Sequence, residues 1–423
     1  MEVKRPMQAL ARRLRTRSFW RVVLGLLGGI VGLQAATAAV LSMVIARRRQ
    51  QRVLEGGFPH VALPPVQVGE NELQIYTYGQ DLYDAMLAAI DGAQESIYLE
   101  SFIWKGDTVG VRFREALARK AREGVAVYAV FDSFGNGVVS REFKRFPPEI
   151  HTLEYHAFSR PWHALDPRRY ALDHRKLLVV DGRHSFIGGY NLGSLYATQW
   201  RDTHLRISGP AAADLAVSFT EFWNRNVTPR RRIKRHYQRH FDPLIALHGT
   251  DALRLTFPIR DMYIEAIDRA EQRILLTNAY FIPDHILLER LKAAAARGVE
   301  VQILLPWASN HIIADWLARG YFTECLLAGI RIFGYHNAMI HAKTCTIDGM
   351  WSTIGTANLD RLSSVGNYEI NVEVYSPEHA AQMEQIFACD KSNAQEITLE
   401  RWLTRHWFME LSERILAPLR LIL

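Results

Sequence analysis

Cysteine is almost absent: Cys325, Cys345 and Cys389 are the only three in 423 residues. They form no C-x-x-C pair and no zinc-ligand spacing, so a disulfide framework and a structural metal are both excluded and reduced, buried thiols are expected. Acidic residues are scarce at the start of the chain. Residues 1–52 carry eleven Lys or Arg against Glu2 alone, a charge of +10, which leaves the remainder of a +7 chain at −3. A nucleic-acid binder carries its basic excess on the folded body, and this body has none. The basic residues instead flank a stretch with no charge at all, Val22 to Ala46. At about 1.5 Å per residue it crosses a hydrocarbon core of about 30 Å, which predicts a transmembrane helix over 22–46 and a single-pass protein of the cell membrane. The rival is a signal peptide cleaved near Ala36-Thr37-Ala38; against it, the apolar run continues through Ile45 and stops at Arg47-Arg48-Arg49. Arginines on both sides leave the orientation undecided.

The rest of the chain is too long for one ordinary core and contains an internal repeat. "AIDGAQESIYLESFIW" from Ala89 matches "AIDRAEQRILLTNAYFI" from Ala266, and an Ala-rich helix ending at Gly124 or Gly298 then leads into an apolar strand in each copy. Helices alternating with strands predict an α/β fold. Further on, "HRKLLVVDGRHSFIGGYN" from His174 matches "HAKTCTIDGMWSTIGTAN" from His341. At one offset of 167, His174, Lys176, Asp181, Asn191 and Asp202 correspond to His341, Lys343, Asp348, Asn358 and Glu369. The predicted organisation is a basic N-terminus with its helix (1–52), a first domain (69–224), a solvated basic linker (225–243), a second domain (244–390) and a C-terminal amphipathic helix (391–423). In that last segment Leu403, Trp407, Leu411, Ile415 and Leu419 fall at helical spacing; core packing is the first expectation and a helix in the membrane interface the second.

These residue types suit phosphodiester cleavage, which needs a nucleophile, a proton for the leaving oxygen and positive charge for the equatorial oxygens. Histidine and lysine two apart on a strand share a face, so each copy puts an imidazole beside an ammonium while Arg175 and Ala342 point away. Asn191 and Asn358 follow glycine-containing turns and can donate to the same phosphate, and Asp202 and Glu369 are the candidates to fix the imidazole tautomers. One histidine attacks phosphorus while the other serves as acid and base; spacing alone leaves their order open. His156, His163 and His311 read as ordinary surface or loop residues. Trp104, Trp200 and Trp351 suit a cleft lining and a core equally.

Two H-x-K-x4-D motifs, each followed by G-x-x-N, resemble the phospholipase D superfamily. Together with "YFIPD" at Tyr280, "NLD" at Asn358 and "NYEIN" at Asn367 they are most similar to its bacterial cardiolipin synthase branch, from about Gly69 onward. The resemblance implies two homologous α/β sandwich domains in pseudo-two-fold arrangement with the active site at their interface. It also implies His174 as nucleophile, His341 as general acid and base, Lys176, Asn191, Lys343 and Asn358 on the phosphate, mainly structural aspartates at Asp181 and Asp348, and no metal or cofactor. Its expected partners are phospholipids, phosphatidylglycerol above all, in a membrane and without nucleic acid. Transfer to a lipid alcohol, giving cardiolipin, competes with hydrolysis to phosphatidic acid, with nuclease activity, and with a non-catalytic scaffold. The sequence departs from the family's pattern at Gly189 and Thr356, where relatives carry serine, and at Arg361, which stands one residue earlier than the usual arginine.

Overall fold

The computed structural model describes residues 20, 23–25, 28–40, 43, 57–157, 166, 170–235 and 237–421. His163 and the positions 22, 26, 27, 41, 42 and 44–46 of the expected span lie outside the described residues. Val23–Val40 forms a helix long and apolar enough to cross a membrane, exposed over nearly all its length.

The repeat folds as two matching sheets. The first contains β1 Val66–Val68, β2 Asn71–Tyr76, β3 Ser96–Ser101, β4 Ala126–Asp132, β5 His151–Tyr155, β6 Lys176–Val180, β7 His184–Gly188 and, beyond the small strand β8 Trp200–Arg201, β9 His204–Ser208. Its order is β1-β2-β9-β7-β6-β3-β4-β5. In the second half come β10 Ile245–Thr250, β11 Arg273–Asn278, β12 Phe281–Ile282, β13 Glu300–Pro306, β14 Arg331–Tyr335, β15 Met339–Ile340, β16 Lys343–Ile347, β17 Trp351–Gly355, β18 Leu359–Asp360, β19 Glu369–Tyr375 and β20 Ala394–Ile397. Its large sheet runs β10-β19-β17-β16-β11-β13-β14-β20, so seven strands correspond one to one and each sheet adds one edge strand of its own.

The helices are α1 Gly79–Gly92, α2 Thr108–Arg122, α3 Ser194–Thr198 and α4 Ala212–Asn226, then α5 Pro258–Arg269, α6 His285–Ala296, α7 Ile312–Leu327, α8 Arg361–Val365, α9 Pro377–Ser392, α10 Leu399–Leu403 and α11 Trp407–Leu416. Asp107 caps α2 through the Gly110 N–H, and Asp284 caps α6 through the Ile286 N–H at 2.8 Å. Gly124 and Gly298, both at φ +94, stop α2 and α6 in the left-handed conformation glycine adopts without penalty.

Strand β6 shows how the layers arise. All five of its residues are buried, Leu177 and Val179 facing one core and Leu178 and Val180 the other. The outer core lies under α1 and α2; the inner one joins the halves, since Leu177, Ile187 and Leu205 share it with Ile354, Ile370 and Val372. The two sheets therefore meet across this core, α4 and α9 pack into it as well, and the ends of β6 and β16 meet at the seam.

The motif aspartates occupy the opposite ends of those strands. Asp181 and Gly182, at φ +53 and +66, precede β7, and Asp348 and Gly349, at +54 and +64, precede β17; both pairs suit the tight Asp-Gly turn of a hairpin. The Asp181 carboxylate accepts from the backbone N–H groups of Gln94, Glu95 and Ser96 at 2.8–2.9 Å, and Asp348 does the same for Glu271, Gln272 and Arg273 at 2.7–2.9 Å. These two carboxylates hold strand starts together, one strand length from the histidines.

Two segments also depart from expectation. The basic linker is strapped to the first domain: Tyr237 bonds the Ser96 hydroxyl at 2.8 Å, Arg235 pairs with Glu95, and Ile233 is buried. Arg225, Arg231, Arg235 and Arg239 find local acceptors, while Arg230, Arg232 and Lys234 stay exposed to solvent. The C-terminal segment is no single helix. Its start supplies β20, which extends the second sheet past residue 390, and residues 404–406 break the rest into α10 and α11. Leu403, Trp407 and Leu411 are exposed and Leu416 is fully buried, so most of the predicted apolar stripe lies outside the core.

Removing the Asp181 carboxylate strips three backbone donors of a charged acceptor. Asp181→Ala is expected to destabilise the fold by about 2 kcal/mol. A lowered thermal midpoint, with phosphate binding retained at the permissive temperature, is the check.

Candidate active site

Lys176 opens β6 opposite Ser101, the last residue of β3, and Lys343 opens β16 opposite Asn278, the last of β11. Each lysine is buried and donates to the carbonyl of the histidine two residues before it, Lys176 Nζ to His174 at 2.6 Å and Lys343 Nζ to His341. Arg175, between them, turns to the other face and pairs with Glu100 and Asp173, as strand alternation requires.

The carboxylates come from the opposite halves. His174 Nδ1 lies 2.9 and 3.0 Å from the two oxygens of Glu369, and His341 Nδ1 lies 2.7 Å from Asp202 Oδ2. The backbone enforces this exchange: the His174 N–H donates to the Tyr368 carbonyl at 3.1 Å, next to Glu369, and the His341 N–H to the Arg201 carbonyl at 2.7 Å, next to Asp202. Strand β8 pairs in parallel with β15, and an Asp173–Tyr368 bridge is its counterpart in the other copy. With both Nδ1 atoms engaged, each imidazole has its Nε2 left for chemistry.

The asparagines complete the ring. Asn191 accepts from the Ile103 N–H at 3.1 Å through Oδ1, and its Nδ2 has no partner among the described residues. The Asn358 Nδ2 donates to Ser363 Oγ at 3.5 Å and has a second N–H that can serve a phosphate oxygen, while its Oδ1 is buried and unpaired. At the two positions where serine was expected, the structure shows different solutions. Thr356 donates its hydroxyl to Glu369 at 2.5 Å. At Gly189 a Cβ would stand 2.1 Å from Asp202 Oδ1, so the carboxylate takes the room a side chain would need.

Several neighbours join the site, of which Phe102 gave no signal in the sequence. The Phe102 ring meets His174 edge-on at 4.8 Å, Trp200 lies 5.2 Å from His341, and Tyr280 lies 6.2 Å from His341 and 5.5 Å from His311. Asp360 is buried close to Lys343 and Glu369. The repeat gives no signal for it, since the matching position is Gly193. Trp104 and Trp351 are core residues, leaving Trp200 as the one of the three tryptophans beside the site. Among the described residues, no group of three or more His, Cys, Asp or Glu is arranged to hold a metal.

Electrostatics tie the group together. Burial first, then Lys176 and Lys343, hold His174 well below the usual histidine value; burial, Lys343, Lys176 and His174 do the same for His341. Burial lowers Lys176 to about 7 and Lys343 to about 8, and raises Asp202 to about 6 and Glu369 to about 8. These directions favour neutral imidazoles, as a nitrogen nucleophile requires, and a phosphate anion beside them would favour protonated lysines and one imidazolium.

A seam between two halves, with His, Lys and Asn contributed twice, defines a duplicated phosphodiester-handling fold. Residues 86–223 and 263–391 match the family described as "Cardiolipin synthase, PLD-like domain". The chain belongs to this cardiolipin synthase family of phospholipase D-like proteins. It is 32% identical over 366 residues to a cardiolipin synthase of Listeria welshimeri and 30% identical over 370 residues to the major cardiolipin synthase ClsA of Bacillus subtilis, in each case covering 83% of this chain and 76% of the relative. Phosphatidylserine synthase of Haemophilus influenzae shares the fold at a TM-score of 0.65 and 12% identity, over 89% of this chain and 97% of that one. Polyphosphate kinase of Porphyromonas gingivalis follows at 0.51 and 14%, over 81% and 53%.

The shifts fix a pH dependence. Lysines are charged below their pKa, so anion capture by the free enzyme, read as kcat/KM, is expected to fall as pH rises through about 7 to about 8. In the saturated enzyme the bound anion opposes lysine deprotonation, so the alkaline limb of kcat should lie higher. Paired pH–rate profiles test this, and coincident alkaline limbs would contradict it.

Proposed function

We propose that the protein joins two phosphatidylglycerol molecules into cardiolipin and glycerol through a phosphohistidine. The observation that carries this reading is the pair of crossed His–carboxylate contacts, which aim two Nε2 atoms from different halves into one site lined by two lysines and two asparagines. His174 suits the nucleophile: its ring is the more exposed, 12% against 6% for His341, and Glu369 grips it with both oxygens while Thr356 grips Glu369.

In the first step His174 Nε2 attacks phosphorus, an N–P bond forms, the P–O bond to glycerol breaks, and His341 gives its proton to the departing oxygen. In the second, the primary hydroxyl of another phosphatidylglycerol gives its proton to His341 and attacks phosphorus, breaking the N–P bond. Both imidazoles return to their starting states. Lys176, Lys343, Asn191 and Asn358 stabilise the equatorial oxygens in both steps, and the chain needs no metal for either. The names of the Listeria and Bacillus relatives support the lipid product. The N-terminal apolar helix supports a single-pass anchor that keeps the body at the bilayer where both substrates reside.

Purified full-length protein in phosphatidylglycerol vesicles should yield a four-chain lipid and glycerol in equal amounts. His174→Ala and His341→Ala should each lower turnover by about 10²-fold or more. Phosphatidic acid without a four-chain product would contradict transfer.

A further inference from the structure

We infer that a cleft on the second half, beside α8, binds the phosphodiester of the acceptor lipid with Arg361 as its cation; this rests on the transfer reading above. The reaction needs such a place. Lys176, Lys343 and the two asparagines surround one phosphorus, whereas the acceptor carries a second phosphate only a three-carbon bridge from the hydroxyl that attacks.

The cleft has a volume of about 890 Å³, and its wall includes Leu255, Phe257, Ile286, His285, Arg361 and Ser364. It is amphipathic: apolar side chains along one part, polar groups along another. Arg260 also borders it but is bonded to Asp284 at 2.6 Å and lies 3.8 Å from Asp261, so its charge is already met. Arg361 is exposed and has no ion-pair or hydrogen-bond partner among the described residues.

Two features connect the cleft to the chemistry. Arg361 follows Asp360, and the α8 residue Ser363 touches the Asn358 amide while its neighbour Ser364 lines the cleft. Movement of a ligand in the cleft is therefore felt one side chain away from the phosphate-facing asparagine.

The cleft also belongs to one half alone. Between β2 and α1 the chain needs two residues, Thr77 and Tyr78; between β10 and α5 it uses seven, 251–257, and these supply Leu255 and Phe257. Leu255 holds φ +55 in the turn closed by the Asp251–Thr256 bridge, and its side chain is 60% exposed. At the position of Arg361 the first half has Ser194, whose N–H and hydroxyl are spent on Asp107 and Thr108. A symmetric centre with one elaborated side fits a reaction in which donor and acceptor are bound differently.

The test uses the full chain with labelled phosphatidylglycerol as donor and two acceptors: phosphatidylglycerol itself, giving cardiolipin, and free glycerol, which enters by headgroup exchange through the same covalent step without a phosphate. Arg361→Ala is expected to lower the ratio of lipid transfer to glycerol exchange about tenfold, the worth of one charge-assisted contact. An unchanged ratio, including an equal loss on both acceptors as general damage produces, overturns the inference. Soluble glycerol 3-phosphate as a third acceptor separates a lipid site from a bare phosphate site: the amphipathic wall requires it to be used far less well than the lipid, and equal use overturns the lipid assignment. If the wild-type chain makes no four-chain lipid, the transfer reading itself fails, which the glycerol-exchange arm reports separately.

Discussion

Each imidazole is held by a carboxylate from the other half, and the rest of the site depends on that exchange. Asp202 and Glu369 stand beside backbone that is hydrogen-bonded to the opposite histidine, so neither half contains a complete centre. Duplication alone would give two similar sites facing anywhere. The parallel pairing of β8 with β15, and its counterpart at Asp173 and Tyr368, brings them together at the seam. The shared inner core, built from Ile187 and Leu205 of one sheet and Ile354 and Val372 of the other, keeps the seam closed.

Burial gives this arrangement its chemistry. In water a lysine two residues from a histidine would be a bystander; here desolvation draws Lys176 and Lys343 down to about 7 and about 8 and keeps both imidazoles neutral. A phosphate anion beside the two lysines opposes their deprotonation. Two near-equivalent half-sites still differ in detail: Thr356 and a two-oxygen grip on His174, Gly189 and a single short contact on His341. These differences give a pseudo-symmetric centre two distinct roles.

The offset of 167 made the paired His, Lys, Asn and acidic residues readable from sequence, because a duplicated fold holds each at the same place in its copy. The same offset could not tell whether Asp202 serves His174 or His341, since that depends on how the copies dock. Phe102 was invisible because the matching position in the other half is Ala279, whereas Trp200, Tyr280 and Asp360 were in view but their place beside the histidines depends on how the copies dock. The Asp-Gly pairs were readable as turns, yet the three N–H groups each aspartate gathers come from the start of a strand at least 75 residues away in sequence, a tertiary fact. In the C-terminal segment helical periodicity was overridden by an available sheet edge at β14 and by the break at residues 404–406.

The central claim is one phosphorus position built by both halves, and a pentacoordinate phosphate mimic reads it directly. Titration of the full chain with orthovanadate should show one equivalent bound, with affinity lost in His174→Ala and in His341→Ala alike. Two equivalents per chain, or full affinity remaining after either substitution, would contradict it.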